Sequence, residues 1–82
     1  MKTRISKHIV ADSEVCHGKP VFENTRILVS DVLELIAAGL SIDEVLEEYP
    51  SLTKDMVVEA LSCAARIFKG EVYVKFVEVP TG

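Results

Sequence analysis

An α+β fold is expected for this chain, with a small N-terminal β-hairpin region, a core of three helices and a C-terminal strand. Three observations predict it. Short β-branched runs flank an Asn-containing turn in the first third, a capped 3.6-residue apolar period occupies the middle, and β-prone residues fill the end. At 82 residues there is room for one small domain. We divide it into a hairpin region over 1–29, a three-helix core over 30–69, and a strand and tail over 70–82.

The composition is that of an ordinary globular protein, with 49% hydrophobic and 27% charged residues. No apolar run approaches the roughly 18 residues of a membrane span, and no signal-type stretch follows Met1. We therefore expect a cytoplasmic protein that does not bind membranes. The net charge of −4 is unevenly spread, because residues 31–59 hold eight acids against the single base Lys54.

The N-terminal region contains short β-prone segments separated by polar loops. The first lies within residues 5–11, and a loop over 12–20 follows it. The runs Val21-Phe22 and Ile27-Leu28-Val29 then flank a turn over residues 23–25. Asn24 tolerates the positive φ that tight turns demand. This pattern predicts a small hairpin.

Capping residues mark the first two predicted helices. Ser30 is the expected N-cap of a helix over about 31–38, which Gly39 stops in the left-handed conformation. Ser41 and Glu44 form a capping box that opens a short second helix. The expected core residues of the two helices are Val32, Leu33, Leu35, Ile36, Leu40, Ile42, Val45 and Leu46.

The third predicted helix is the longest. Tyr49-Pro50 ends the second helix, Thr53 caps the third, and Gly70 ends it. A short second helix, a compact turn and a long third helix are typical of a helix-turn-helix, whose last helix lies in the DNA major groove. The expected core residues of this helix are Met56, Val57, Ala60, Leu61, Ala64, Ala65 and Phe68.

Residues 71–79 have strong β propensity and are predicted to form a strand that Pro80 ends. Apolar side chains would lie on both faces of this strand, more than so small a domain can cover. We therefore expect pairing with another chain, either a second copy or a protein partner. The predicted partner-binding residues are Val72, Tyr73, Val74, Phe76, Val77 and Val79.

Several short motifs occur together in this chain. They are Gly18-Lys19-Pro20, Thr25-Arg26-Ile27, Ala38-Gly39-Leu40-Ser41, Glu47-Glu48-Tyr49-Pro50 and Leu52-Thr53. Over residues 5–65 their combination resembles the bacterial and archaeal DUF433 family. The resemblance implies a helix-turn-helix or homeodomain-like core and the role of a predicted antitoxin, usually encoded beside a PIN-like nuclease toxin. Asn24 stands where the family more often has Gly, and it can keep the turn because Asn also reaches positive φ.

The charge distribution bears on DNA binding. The start of the third helix offers Thr53, Lys54, Asp55 and Glu59 to solvent, a poor surface to place against phosphates. A helical core that serves packing is therefore favoured over DNA reading by this helix. If DNA is bound, basic residues in the N-terminal half are better placed to grip its backbone. The candidate nucleic-acid contacts are Lys2, Arg4, Lys7, Lys19, Arg26 and Lys54.

Arg26 has two interpretations. Its guanidinium can clamp the hairpin to the first helix through Asp31 or helix-end carbonyls, which we favour, or it can face an acidic site on a partner. Lys19 has no evident local partner and is available for an anion. The acidic run over residues 43–48 is interpreted first as a solvated helix face, and second as a surface that meets the basic channel of a nuclease.

Cys16-His17, together with His8 and Cys63, raises the question of metal binding or thiol catalysis. Zinc sites normally show paired ligands at short spacing, which are missing here, and so small a domain has little room for a catalytic pocket. We expect Cys16 to be tucked under the hairpin and Cys63 to be a small core residue, both reduced. No enzymatic activity, metal or cofactor is therefore expected.

The leading hypothesis is an antitoxin that neutralises a PIN-like nuclease by binding it, with autoregulatory DNA binding as a second role and self-association as a homodimer. The alternative is a helix-turn-helix DNA-binding regulator without a toxin partner. A small thiol or metal enzyme is a remote third hypothesis, kept because of Cys16-His17.

Overall fold

The computed structural model describes residues 1–70. It contains a three-stranded antiparallel sheet and three helices, which confirms the α+β prediction. The strands, in the order β1-β2-β3, are β1 (Lys2–Arg4), β2 (Ile9–Asp12) and β3 (Pro20–Phe22). The helices are α1 (Val29–Ala37), α2 (Ile42–Glu48) and α3 (Lys54–Phe68). The strand predicted over residues 71–79, with its partner-binding side chains, lies outside the described residues.

The sheet contains a strand that the sequence pattern missed. In β1, Lys2 pairs opposite Asp12 of β2, yet all three β1 residues are exposed, so no apolar alternation marks this strand. In the next pairing Ile9 lies opposite Phe22, and Val10 lies opposite Val21. Because side chains alternate between the faces of a sheet, Ile9 and Phe22 point to one side and Val10 and Val21 point to the other.

The predicted hairpin after Pro20 is only partly formed. Asn24 has a φ of 64°, as the turn requires, and the amide of Phe22 donates to the carbonyl of Ile27 (3.1 Å). The second arm, however, is reduced to one bridge between Val21 and Leu28. The prediction of a strand through Val29 was wrong, because that residue is already the first of α1.

The start of α1 also differs from the prediction. The N-cap is Leu28, whose side chain makes no capping bond, and Ser30 lies inside the helix. Leu28 is held extended by its bridge to Val21, and the helix begins directly after it. The predicted stop at Gly39 is confirmed by a φ of 104° there, which a residue with a Cβ rarely adopts.

The limits of α2 and α3 follow the predicted caps. Ser41 forms the predicted capping box, in which its hydroxyl accepts from the amide of Glu44 and its own amide donates to that side chain. The hydroxyl of Thr53 accepts from the amide of Met56 (3.2 Å). Each bond satisfies an amide that lacks an intrahelical acceptor in the first turn.

The main core lies between the helices and one face of the sheet. It comprises Ile9, Phe22, Val29, Val32, Val45, Leu52, Met56, Val57 and Ala60. Two residues predicted to be in the core are exposed, Ala65 and Phe68, and Phe68 has 87% of its surface accessible. In the last turns of α3, Cys63 and Ala64 are half-buried, as predicted for core residues. Ile67 is half-buried as well, and the prediction omitted it from the apolar face. Within residues 1–70 no helix is long and apolar enough to cross a membrane.

Candidate functional site

All six predicted nucleic-acid contacts are exposed, but the structure gives them different surroundings. Lys2 and Arg4 lie on β1 and both bind Glu23, at 2.9 Å and 2.6 Å respectively. Lys54 lies apart from them in sequence, at the start of α3. The remaining three are in loops: Lys7, Lys19 and Arg26.

Glu23 is the centre of an ion-pair network on the sheet. Hydrogen bonds from Arg4 and then from Lys2 lower the pKa of its carboxyl to about 2. Arg4 also donates to the carbonyl of Lys7 (2.9 Å), so its guanidinium holds the turn that follows β1. The positive charges of Lys2 and Arg4 are therefore partly compensated within the chain, which reduces their value as phosphate contacts.

A cleft of about 400 Å³ opens on the outer face of the sheet, opposite the main core. Its apolar lining is Val10 and Val21, which are 3% and 2% exposed, together with half-buried Val15. Its polar lining is Lys2, Asp12, Asn24, Thr25 and Arg26. Two of these residues, Thr25 and Arg26, belong to a motif that carries the family resemblance.

A left-handed turn follows Val15. Cys16, His17 and Gly18 have φ values of 49°, 58° and 80°, and the amide of Gly18 donates to the carbonyl of Val15 (3.0 Å). Left-handed conformations cost a non-glycine residue about 1–2 kcal/mol, so this turn must be held by its surroundings. The thiol of Cys16 lies 3.6 Å from the carbonyl oxygen of Arg26, which links the turn to the other side of the cleft.

Arg26 is not the internal clamp that we predicted. Among residues 1–70 its side chain makes no hydrogen bond or ion pair, with Asp31 or with any helix-end carbonyl. Thr25 fixes the turn itself, because its hydroxyl donates to the carbonyl of Phe22 (2.6 Å) and accepts from the amide of Ile27 (3.0 Å). The rigid turn places the exposed Arg26 at the cleft.

A polar clasp joins the sheet to α3, and no local signal in the sequence predicted it. The carboxylate of Glu59 accepts from the Ser6 hydroxyl, from the His8 amide (2.7 Å) and from the His8 ring nitrogen Nδ1 (2.8 Å). Burial alone would raise the pKa of Glu59, but these hydrogen bonds outweigh it and hold the pKa below its usual value. The placement of Glu59 on the exposed face of α3 was wrong, because only 16% of its side chain is accessible.

The helices carry an acidic surface. Residues 29–70 contain eight acids and three bases, and seven of the acids are exposed. Glu59 is the one that is not exposed, and within residues 1–70 it is also the one whose carboxylate contacts a basic side chain, that of His8. On α2 the exposed carboxylates are Asp43, Glu44, Glu47 and Glu48, of which Glu44 belongs to the capping box.

A second, apolar groove of about 250 Å³ lies between α1, α3 and the sheet. Its lining includes Ile5, Leu33, Cys63 and Ile67. Cys63 packs against the main core, as predicted for a small core residue, and Cys16 is half-buried. Both cysteines are free, and residues 1–70 contain no group of three or more His, Cys, Asp or Glu side chains placed to hold a metal.

The chain was compared with known families, curated proteins and solved structures. No curated protein matches it. The crystal structure of Rv2018 from Mycobacterium tuberculosis is similar, with 34% sequence identity and a TM-score of 0.58 over 65% of this chain. The likeness covers 24% of the Rv2018 chain, so this protein spans about a quarter of that one. The model of the family described as "Protein of unknown function (DUF433)" matches residues 9–64. Because that match covers more than half of the chain, this protein belongs to the DUF433 family.

Proposed function

We propose that this protein is an antitoxin that neutralises a partner nuclease by binding it. The observation that carries the proposal is the exposed acidic surface of the helices, whose seven carboxylates have no ion-pair partner within residues 1–70. A nuclease must present a cationic channel to its nucleic-acid substrate. An acidic protein surface complements such a channel and competes with the substrate for it.

The α2 helix is the part of this surface best suited to a partner. It is short, its capping box holds it in place, and buried Val45 anchors it to the core. Glu47 and Glu48 lie in its last turn, where the helix dipole disfavours negative charge. Exposed carboxylates in that position add nothing to the stability of the helix, which favours a role in binding.

The family resemblance supports the same proposal, since DUF433 proteins are described as predicted antitoxins encoded beside PIN-like nucleases. Self-association as a homodimer is part of the proposal and rests on the composition of residues 71–79. A homodimer would present two acidic surfaces to its partner and raise the effective affinity through avidity.

Binding to the nuclease encoded beside this gene tests the proposal, with two matched charge reversals. Glu47→Lys reverses a charge on α2, and Glu14→Lys makes the same change in the loop after β2. We expect Glu47→Lys to weaken binding by about tenfold or more, most strongly at low salt, because placing like charges together is costly. Glu14→Lys should bind as the wild type does. Equal effects of the two variants, or no complex with the wild type, would overturn the proposal.

A DNA-binding regulator with a homeodomain-like core is the second candidate function, and one observation favours it. The carboxylate of Glu59 is held by Ser6 and His8 and is mostly covered, so it does not lie on the exposed side of α3. The exposed charged residues of α3 are then the bases Lys54 and Arg66 and the acid Asp55. This side of α3 therefore repels phosphates less than we expected from the sequence.

A gel shift with the DNA upstream of this gene tests the second candidate. If α3 enters the major groove, Lys54→Gln should weaken binding and reduce its salt dependence by about one phosphate contact. If the loops of the sheet region grip the backbone instead, Lys7→Gln with Lys19→Gln should do so. Lys2 and Arg4 are poor choices for this test, because both hold Glu23. Absence of any shift at low salt would exclude this candidate.

A further inference from the structure

The cleft on the outer face of the sheet has the size and lining of a binding site for a single side chain and its neighbour. Its volume of about 400 Å³ lies within the range of small ligand sites. The floor is formed by Val10 and Val21, which are paired across β2 and β3 and lie outside the main core. Both valines are already buried, so the apolar side chain of the lining that is open to a ligand is half-buried Val15. An apolar side chain placed on this floor would lose contact with water.

The charges at the cleft leave one cation without a partner inside residues 1–70. Lys2 binds Glu23, and Asp12 accepts from the amide of Glu14 (2.9 Å) and lies 3.9 Å from the N-terminal ammonium. Arg26 is exposed and makes no ion pair or side-chain hydrogen bond in this part of the chain. A guanidinium presents a planar fork of donors that matches a carboxylate in a bidentate pair.

Both sides of the cleft are fixed before any ligand arrives. The Thr25 hydroxyl bonds hold the turn that carries Arg26, and the left-handed turn after Val15 is tied to the carbonyl of Arg26 through Cys16. Strained backbone is kept where its surroundings impose it, and it is concentrated at functional sites. A preformed site loses less entropy on binding than one that must be ordered.

We propose that this cleft binds a peptide segment of a partner protein in which an aspartate or glutamate adjoins a bulky apolar residue. The carboxylate pairs with Arg26, and the apolar side chain packs on Val15 beside Val10 and Val21. Nucleic acid fits less well, because Asp12 also lines the cleft and a run of phosphates would meet its carboxylate. The cleft is distinct from α2, so this proposal and the antitoxin proposal can fail separately.

The test uses the full-length ¹⁵N-labelled chain and a set of synthetic octapeptides in an alanine and serine background. Each contains Leu-Glu, Phe-Glu, Leu-Asp or Phe-Asp at its centre, and each has a partner with Gln or Asn in place of the acid. We expect acidic peptides to shift the amide resonances of Val10, Val21 and Arg26, and to bind about tenfold or more tightly than their amide partners. This factor corresponds to about 1.4 kcal/mol, the size expected of a hydrogen bond to a charged group.

Arg26→Gln should abolish the preference for the acidic peptides, while Arg26→Lys should keep part of it, because lysine retains the charge but not the fork. Arg66→Gln, which removes an exposed arginine from α3, serves as the matched control and should keep the full preference. The proposal is overturned if acidic and amide peptides bind equally, if Arg26→Gln keeps the preference, or if no peptide shifts the cleft resonances. It is also overturned if an oligothymidylate octamer shifts those resonances at lower concentration than any peptide does.

Discussion

The sheet region over residues 1–28 and the helical unit over residues 29–70 are held together by different forces. In the sheet region, Glu23 binds Lys2 and Arg4, Asp12 lies near the N-terminal ammonium, and the Arg4 side chain closes the turn after β1. Seven of the nine main-core residues come from the helical unit, which is therefore held mainly by apolar packing. Within residues 1–70, the side-chain hydrogen bonds that the helical unit makes with itself are those of its helix caps. The Glu59 clasp and the contacts of Ile9 and Phe22 join the two.

This difference explains why the two regions were not equally predictable. Apolar periodicity and caps are local features, and a core built from them can be anticipated from short windows of sequence. Ion pairs between residues 19 to 21 positions apart, such as those from Arg4 and Lys2 to Glu23, leave no such trace. Both candidate surfaces follow this division, with a cleft of mixed polar and apolar lining on the sheet and an acidic surface on the helices.

The largest effect is expected from removing the aromatic side chain that joins the regions. Phe22 is 0% exposed and Phe68 is 87% exposed, so the same change to alanine can be compared at a buried and an exposed site. Phe22→Ala should cost about 3–5 kcal/mol of unfolding free energy, while Phe68→Ala should change it by less than about 0.5 kcal/mol. Urea unfolding measures both. Equal losses would show that the sheet does not depend on this contact, or that Phe68 is covered in solution.

A smaller effect is expected from the polar clasp. Glu59→Ala leaves the Ser6 hydroxyl and the His8 amide without their acceptor and should cost about 1–3 kcal/mol. Glu48→Ala on α2 removes an exposed carboxylate and serves as the control. If Glu59→Ala were as mild as its control, the sheet would be held to α3 by apolar packing alone.

The clasp should also make stability depend on pH. The pKa of Glu59 in the folded protein lies below its ordinary value of 4.5, so the folded state favours the charged form. The stabilisation is therefore complete above about pH 4.5 and lost as the pH falls through the folded-state pKa. Denaturation midpoints measured between pH 3 and pH 7 should fall less steeply with acid for Glu59→Ala than for the wild type. Parallel curves would contradict the clasp.

The smallest effect is expected from the exposed network on the sheet. Glu23→Gln removes a carboxylate whose pKa is lowered to about 2 by Arg4 and Lys2, so its small contribution should persist down to acid pH. Because these side chains are partly in water, the loss should shrink as salt is added. Glu14→Gln, at an exposed position without an ion pair in residues 1–70, should show neither effect. A salt-independent loss for Glu23→Gln would point to a steric role instead.

The helices were predicted closely because single residues at their ends indicate where they begin and stop. Ser41, Thr53 and Gly39 mark real boundaries, since each provides a bond or a backbone conformation that the helix end needs. The prediction of Ser30 as the N-cap of α1 was wrong, because α1 begins directly after the bridge from Leu28 to Val21. A capping pattern in the sequence contains no information about such a bridge. A long-range contact thus overrode a local preference.

The candidate surfaces could be predicted only in part. The acidic surface follows from composition, because exposed carboxylates need no partner to be recognised as such. To predict the cleft, the left-handed turn over residues 16–18 and the strand β1 would have to be known, and the side-chain pattern indicates neither of them. The clasp required residues 51 and 53 positions apart to meet, which only the folded chain shows.

The most direct test of the proposed antitoxin function is the growth of cells that express the PIN-like nuclease expected beside this gene, with and without this chain. We predict that co-expression of the wild type restores growth, that Glu14→Lys restores it equally, and that Glu47→Lys restores it less at matched protein levels. Cells that stay arrested in the presence of soluble wild-type protein would contradict the proposal.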